Sequence, residues 1–443
     1  MVWTKVSDNR WERPVNGLEG YFVVTENISS SLCDGREHYI LFSKLKLETN
    51  FSDVESKLKH AWKQIRYEQP LVATTIEGMK KVYEVPDEQA LEQWLAKTFI
   101  VSQASDAEEL YQSVSPIKQA SLYYVPKSSE LVFRGHHHTI DGTGVLLFWH
   151  SFLNALSSPI QELTFGDEPA RLAPIIEETL GHPEQPTQEQ SDKATALFMT
   201  WAGSVPGIGP VSKLGAVPSG KCKNTELVFP TKTTEAIIKA CKDKNITVTS
   251  AVHAAYITTI TKHADPNSKL TEYVTANQFN LRPYLPAPYN SSKYAVSVYY
   301  TPLPYKIATP ASFWDIAKSL QEYYQTSFKG KPETLELVGY FTRVLCGAVQ
   351  TPEFLANPIS KDALISSLGI AERFMQQEYG NGIKVKDIKM GVDVVMGMSM
   401  YFFYTFRDQL RLVYSFNDAY EEPEKIQKYL EDIQSTLIEE LLA

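Results

Sequence analysis

Cysteine is scarce in this chain. Only Cys33, Cys222, Cys241 and Cys346 occur among 443 residues, widely spaced and without a CxxC pair. That leaves no basis for a disulfide framework or a zinc knuckle and predicts reduced, mostly structural thiols. Long apolar runs are missing too: no stretch reaches 18 uncharged apolar residues, so no membrane-spanning helix is expected. The opening residues, MVWTKVSD, carry no apolar run of signal-peptide type, which predicts a cytoplasmic protein. Nor is basic charge in excess. A formal net charge of −9 argues against a nucleic-acid partner, which needs a basic face. Core-forming material is plentiful: 43% hydrophobic and 12% aromatic content is ample for the cores of two domains.

The most informative segment is HHHTIDG at 136–142, in which His137 stands four positions before Asp141 and Gly142 follows at once. Leu131, Val132 and Phe133 give the preceding residues high β-propensity, so the histidines are expected where a strand over 130–136 ends. An apolar run, VLLFWH at 145–150, then predicts a buried helix beginning near 143. Gly142 and Gly144 in this turn are expected to take left-handed angles and to admit another molecule closely. An imidazole titrates near neutrality, so a His here suits a general base that takes a proton from an attacking hydroxyl or amine. Asp141 either orients that ring or holds the turn together. Two other readings compete. Ring nitrogens satisfied by buried carbonyls would make the run structural. Imidazole is also a common zinc ligand, but in an extended segment His136 and His138 face away from His137, so all three cannot converge and no metal is expected.

HHHTIDG resembles the HHxxxDG signature of the CoA-dependent acyltransferase superfamily, which includes chloramphenicol acetyltransferase, plant acyltransferases and the condensation domains of peptide synthetases. The resemblance implies an α/β fold of two lobes, each a mixed sheet flanked by helices, with the active-site channel between them. It also implies that His137, with Asp141 and Gly142, forms the catalytic motif. His137 would be the base, and Asp141 would be mainly structural, paired with Arg282 in the segment NQFNLRPYL at 277–285. WERP at 11–14, GLEGY at 17–21 and NLRPYL at 280–285 are similar to fungal secondary-metabolite O-acetyltransferases of the trichothecene type. The DFGWG motif of the plant branch is replaced by DVVMGMSM at 393–400. The implied reaction moves an acetyl or other short acyl group from acyl-CoA to a hydroxyl of a hydrophobic small molecule. Acyl-CoA is then a co-substrate, no bound cofactor or covalent enzyme intermediate is required, and a monomer is expected. Two alternatives stay open: a condensation-like enzyme taking its donor from a carrier protein, and a non-catalytic binding protein.

Composition shifts to Pro, Gln, Gly and Lys between about 180 and 220, which divides the chain into an N-terminal lobe over 1–180, a crossover over 181–220 and a C-terminal lobe over 221–443. In the first lobe, SDVE at 52–55 fits a capping box ahead of a helix marked by Val54, Leu58, Trp62 and Ile65, and strands are expected near 38–46 and 119–126. In the second, strands are expected at 225–229, 272–279, 294–303, 398–405 and 410–415, and helices at about 247–263 and 312–325. Pro423 opens a terminal helix whose Ile426, Leu430, Ile433, Leu437 and Leu441 form a core-facing stripe. His253 reads as a core residue rather than a second base. Ser399 is a candidate oxyanion donor, and Tyr401, in the aromatic run at 401–404, is a candidate pocket residue. Coenzyme A is an anion and so is this chain, so local cations are needed. Lys213, Lys221 and Lys223 are candidates.

Overall fold

In the computed structural model, residues 2–211, 219–329, 331–353 and 363–443 are described. The histidine strand Glu130–His136 is buried along its whole length because it sits inside a six-stranded sheet. The order across that sheet is Glu378–Tyr379, Ile383–Val392, Ile40–Glu48, Glu130–His136, Ser121–Val125 and Phe99–Val101. All neighbours are antiparallel except the last pair. A central strand with both faces covered reads as a continuous apolar run rather than an alternation, as Leu131, Val132 and Phe133 do here. Register is set by Ile40 opposite His136 and Lys46 opposite Glu130.

The helix Gly142–Ser157 lies across this sheet and buries Val145, Leu146, Phe148, Trp149, Phe152, Leu153 and Leu156. Burial of each large apolar side chain stabilises by about 1.5–3 kcal/mol, which seats the helix firmly. The Trp149 indole also donates to Ser43 Oγ at 2.9 Å, so its polar edge is satisfied inside the core. The helix Val54–Glu68 packs beside it through Leu58, Trp62 and Ile65. Its expected capping box is not formed. Asp53 is the N-cap and makes no side-chain cap bond, which places Ser56 rather than Glu55 at the third helical position.

The second sheet has four strands in the order Ala363–Ile370, Ser399–Phe406, Gln409–Asn417 and Cys222–Val228. The terminal helix Pro423–Leu442 and the helix Val248–Lys262 pack together, and the five expected stripe residues of the former are buried. His253 is fully buried, with Nδ1 3.0 Å from the Tyr324 hydroxyl and Nε2 3.2 Å from that of Tyr273. It is a satisfied core histidine. Glu272–Asn280 and Tyr300–Ala308 form an antiparallel pair of their own.

Three features depart from the sequence expectations. Ile383–Val392 belongs to the chain's last quarter yet pairs with Ile40–Glu48, so the C-terminal half is not a self-contained lobe. The loop that follows is tied to the first lobe through Asp393, which accepts from the Tyr111 hydroxyl and from Arg134 Nη2 at 3.3 Å. The expected crossover contains a helix, Gln188–Ala202, opened by a Thr187–Gln190 capping box. Only Ala194 on it is fully buried, so its composition resembles a linker. The strand expected at 294–303 starts only at Tyr300, because the backbone before it is occupied with Asp141 rather than with a neighbouring strand. No helix among the described residues is long and apolar enough to cross a membrane.

Candidate active site

The histidine strand ends at the wall of a cavity of about 430 Å³ lying between the two sheets. One side comes from Leu18, Tyr21 and Phe22 on the helix Gly17–Leu32 and from Tyr39 and His137. The other comes from alternate residues of the strand Glu272–Asn280, such as Ala276, Gln278 and Asn280, from Tyr300, Leu364 and Leu368, and from Met398, Met400 and Phe402. Phe198 and Trp201 on the crossover helix, with Phe341 and Leu345 on the helix Pro332–Ala348, complete a largely apolar lining.

His137 is 7% exposed. Its ring is stacked on Phe22, 4.2 Å between centroids and 9° between planes, with Tyr39 edge-on at 6.1 Å and Tyr300 at 5.5 Å. These aromatic walls, not a carboxylate, hold its orientation. Burial pushes its pKa down to about 4, while its own backbone carbonyl and the charge of Asp141 pull weakly the other way. Nδ1 makes no hydrogen bond of ordinary geometry, so the carbonyl acts through its dipole rather than through a formed bond. The ring is therefore neutral at physiological pH, with a lone pair available to a hydroxyl.

Asp141 spends its carboxylate elsewhere. Oδ1 accepts from Gly144 N at 2.6 Å and Arg282 Nη1 at 2.9 Å, while Oδ2 accepts from Arg282 Nη1 at 2.8 Å and Tyr299 N at 2.7 Å. Its own N–H donates to Ser297 O at 3.1 Å. Asp141 thus caps the helix that follows and clamps the turn to the segment 295–299. Arg282 extends the clamp through Nη2, which donates to Ser297 Oγ at 3.1 Å. Of the two roles open to Asp141, the geometry selects the one that holds the turn.

The two glycines act through space rather than through dihedral angle, because neither has a positive φ. A Cβ on Gly144 would lie 2.5 Å from Ala295 O and 3.1 Å from Arg282 Nη2, inside the clamp. A Cβ on Gly142 would come within 3.0 Å of Leu368 Cδ2, at the cavity wall.

Ser399 and Tyr401 face away from the cavity. Side chains alternate along the strand Ser399–Phe406, so Met400 and Phe402 line the cavity while Tyr401 and Phe403 enter the second core. Tyr401 stacks on Tyr256 at 5.3 Å there. The hydroxyls that do line the cavity belong to Ser366, Ser367, Thr275 and Thr143, among others, and Ser367 is held by Thr249 at 2.9 Å. Lys221 and Lys223 do not line it either. They stand at the start of the outer strand of the second sheet, where Lys221 is exposed and Lys223 Nζ donates to Gln112 at 3.1 Å. Lys213 lies outside the described residues. Among the described residues that line the cavity there is no lysine or arginine. Phe22, Tyr39 and Tyr300 are the aromatic contacts of His137 that sequence reasoning missed. Phe22 directly follows the GLEGY block, so its neighbourhood, though not its role, was visible.

No family model matches the chain. Over its full length it is similar to two proteins of Monascus ruber. The O-acetyltransferase pigM is 29% identical over 451 aligned positions, spanning 100% of this chain and 87% of pigM. The acetyltransferase pigO is 28% identical over 465, spanning 100% of this chain and 98% of pigO. Among solved structures, TRI3 trichothecene 15-O-acetyltransferase from Fusarium sporotrichioides superposes with a TM-score of 0.81 at 17% identity, covering 98% of this chain and 97% of TRI3. The first condensation domain of the CDA synthetase does so with a TM-score of 0.67 at 14% identity, covering 96% and 95%. The fold is the two-lobed, chloramphenicol acetyltransferase-like one, and the two Monascus ruber homologues are an O-acetyltransferase and an acetyltransferase.

Proposed function

We propose that this chain, similar over its whole length to a fungal O-acetyltransferase and a fungal acetyltransferase, moves an acetyl group from acetyl-CoA to a hydroxyl of an apolar small molecule. The observation that carries this reading is a buried, neutral imidazole at the wall of a deep, aromatic-lined cavity. The acceptor O–H donates to the free ring nitrogen of His137. As the oxygen attacks the thioester carbonyl, the proton passes to the ring. Collapse of the tetrahedral intermediate breaks the C–S bond, and the departing sulfur takes that proton to leave as a thiol. General base catalysis of this kind contributes typically ~10²–10⁴-fold, and holding donor and acceptor in line contributes more. The apolar lining favours a hydrophobic acceptor of the kind found in secondary metabolism.

Thermal unfolding with acetyl-CoA, with desulfo-CoA and without ligand tests the donor before any acceptor is known. A ligand at 100 times its Kd adds about 2.7 kcal/mol, so a saturable rise is expected, followed by thiol release when hydroxylated apolar compounds are supplied. Absence of any shift at millimolar acetyl-CoA overturns the CoA donor and leaves a carrier-bound donor, as condensation-type enzymes use.

A further inference from the structure

We propose that Glu26, His136 and His138 form a binding site for a divalent transition metal of the zinc class, behind the cavity wall at the end of the histidine strand. The strand ends at His136 and the chain turns over 136–139, and of the three histidines His137 lines the cavity while its two neighbours do not. The rings of His136 and His138 lie nearly parallel, 4.9 Å apart at 16°. Glu26, from the helix Gly17–Leu32, meets them there, and one ligand atom from each of the three lies within 4.8 Å of the others. All three residues are buried. The expectation of no metal rested on three imidazoles being unable to converge. They do not, but two of them converge with a carboxylate that the sequence could not bring to them.

The hydrogen bonding around Glu26 leaves it without a cation bonded to it directly. Two buried cations stand close by, and both are committed to Glu19: Arg13 Nη2 reaches its two oxygens at 3.0 and 3.1 Å, and Lys81 Nζ bonds it at 2.9 Å. Lys81 gives its other bond to the His138 carbonyl at 2.6 Å. Glu26 is left with Oε1 buried and without a hydrogen-bond partner, and with Oε2 3.5 Å from His138 Nε2. A buried carboxylate with one orphaned oxygen and no cation of its own is costly unless protonated or bound to a metal. The imidazoles are set for ligation. His138 Nδ1 lies 3.0 Å from Thr139 Oγ1, an outer contact of the kind that fixes a ligating tautomer and leaves Nε2 for the metal. Glu37, whose side chain is 27% exposed, sits 3.1 Å from His136 Nε2. It holds the His136 ring from the solvent side of the cluster. Two imidazoles with carboxylate oxygens suit Zn(II) better than Mg(II) or Ca(II), which prefer all-oxygen shells. The metal would touch neither substrate nor His137. It would fasten the opening helix to the histidine turn.

The test needs no substrate. The full-length chain, stripped with a chelator and dialysed, is titrated with Co(II) followed by visible absorption, and the bound ion is then displaced with Zn(II) while the melting temperature is recorded. One saturable equivalent per chain and a higher melting temperature are expected, with affinity lowered at least tenfold in Glu26→Gln and in His138→Gln. No saturable site in the native chain overturns the proposal, and so does a site whose affinity is the same in both variants, which would lie elsewhere. If a variant fails to fold, Glu37→Gln at the solvent edge takes its place, with a smaller affinity loss expected and an unchanged affinity counting against the assignment.

Discussion

Replacing Asp141 with Ala tests whether the carboxylate of the histidine motif works through structure. The native carboxylate accepts four hydrogen bonds, two of them from the Arg282 guanidinium, and both side chains are at most 4% exposed. Removing it strands a buried guanidinium whose remaining hydrogen-bond acceptors are the Ala295 and Ser297 carbonyls and the Ser297 hydroxyl. It also removes the N-cap of the helix Gly142–Ser157. Breaking one side of such a buried pair costs about 3–5 kcal/mol, and the lost cap about 1 kcal/mol more. For a cooperative unit of 150–250 residues, at ~2–4 °C per kcal/mol, the pair alone corresponds to a fall in melting temperature of roughly 6–20 °C. The assay is scanning calorimetry of the native chain beside Asp141→Ala and Arg282→Ala, with the double variant closing the cycle. The two single losses should be strongly non-additive, because each leaves the other partner unpaired. A melting temperature within about 2 °C of the native value in Asp141→Ala would refute the reasoning.

Other expectations follow from the same geometry. His137→Ala should lower turnover by at least ~10²-fold while keeping the melting temperature within a few degrees, since the ring makes stacking contacts and no formed hydrogen bond; steady-state kinetics beside calorimetry checks both, and retained turnover removes His137 as the base. Gly144→Ala should destabilise by about 1–3 kcal/mol, because the new methyl meets the Ala295 carbonyl at 2.5 Å; denaturant titration measures it, and a neutral result would show that the clamp yields. Glu177 is buried beside Gly17 and Gly339 with neither oxygen hydrogen-bonded, and burial pushes its pKa up to about 7. The folded state then holds the Glu177 proton more tightly than the unfolded chain, so this group's contribution is fully present below about pH 4.5 and is lost as pH rises through about 7. Glu177→Gln should therefore gain stability relative to the native chain between pH 5 and 8, by up to about 3 kcal/mol, and a pH-independent difference in chemical denaturation would count against it.

Much of the first lobe's active side was legible because it is local. The strand, turn and helix from 130 to 157 carry their own signals: β-branched and aromatic residues, an Asx cap and an apolar run. The partner of Asp141 was found through the resemblance of NLRPYL to a family pattern, not through any periodicity. The misses share a cause. Tyr401 and Ser399 were placed by type, but which face of a strand meets the cavity depends on what packs against it. The helix Gln188–Ala202 hid behind a polar composition because it buries so little of itself while still contributing Phe198 and Trp201 to the wall. Lys221 and Lys223 were chosen for charge, and their strand proved to lie at the far edge of the second sheet.

By itself the sequence determined the histidine turn, the apolar stripes of the long helices and the lack of any long uncharged apolar run. Those properties are set within a few residues by backbone geometry and side-chain chemistry. Tertiary structure alone decided that Ile383–Val392 enters the first sheet, that Phe22 stacks on His137, that Asp141 serves Arg282 and Tyr299 rather than the imidazole, and that Glu26 meets the two rearward histidines. Periodicity shows which face of an element is buried. What it is buried against depends on contacts between segments hundreds of residues apart, and only the folded chain brings those together.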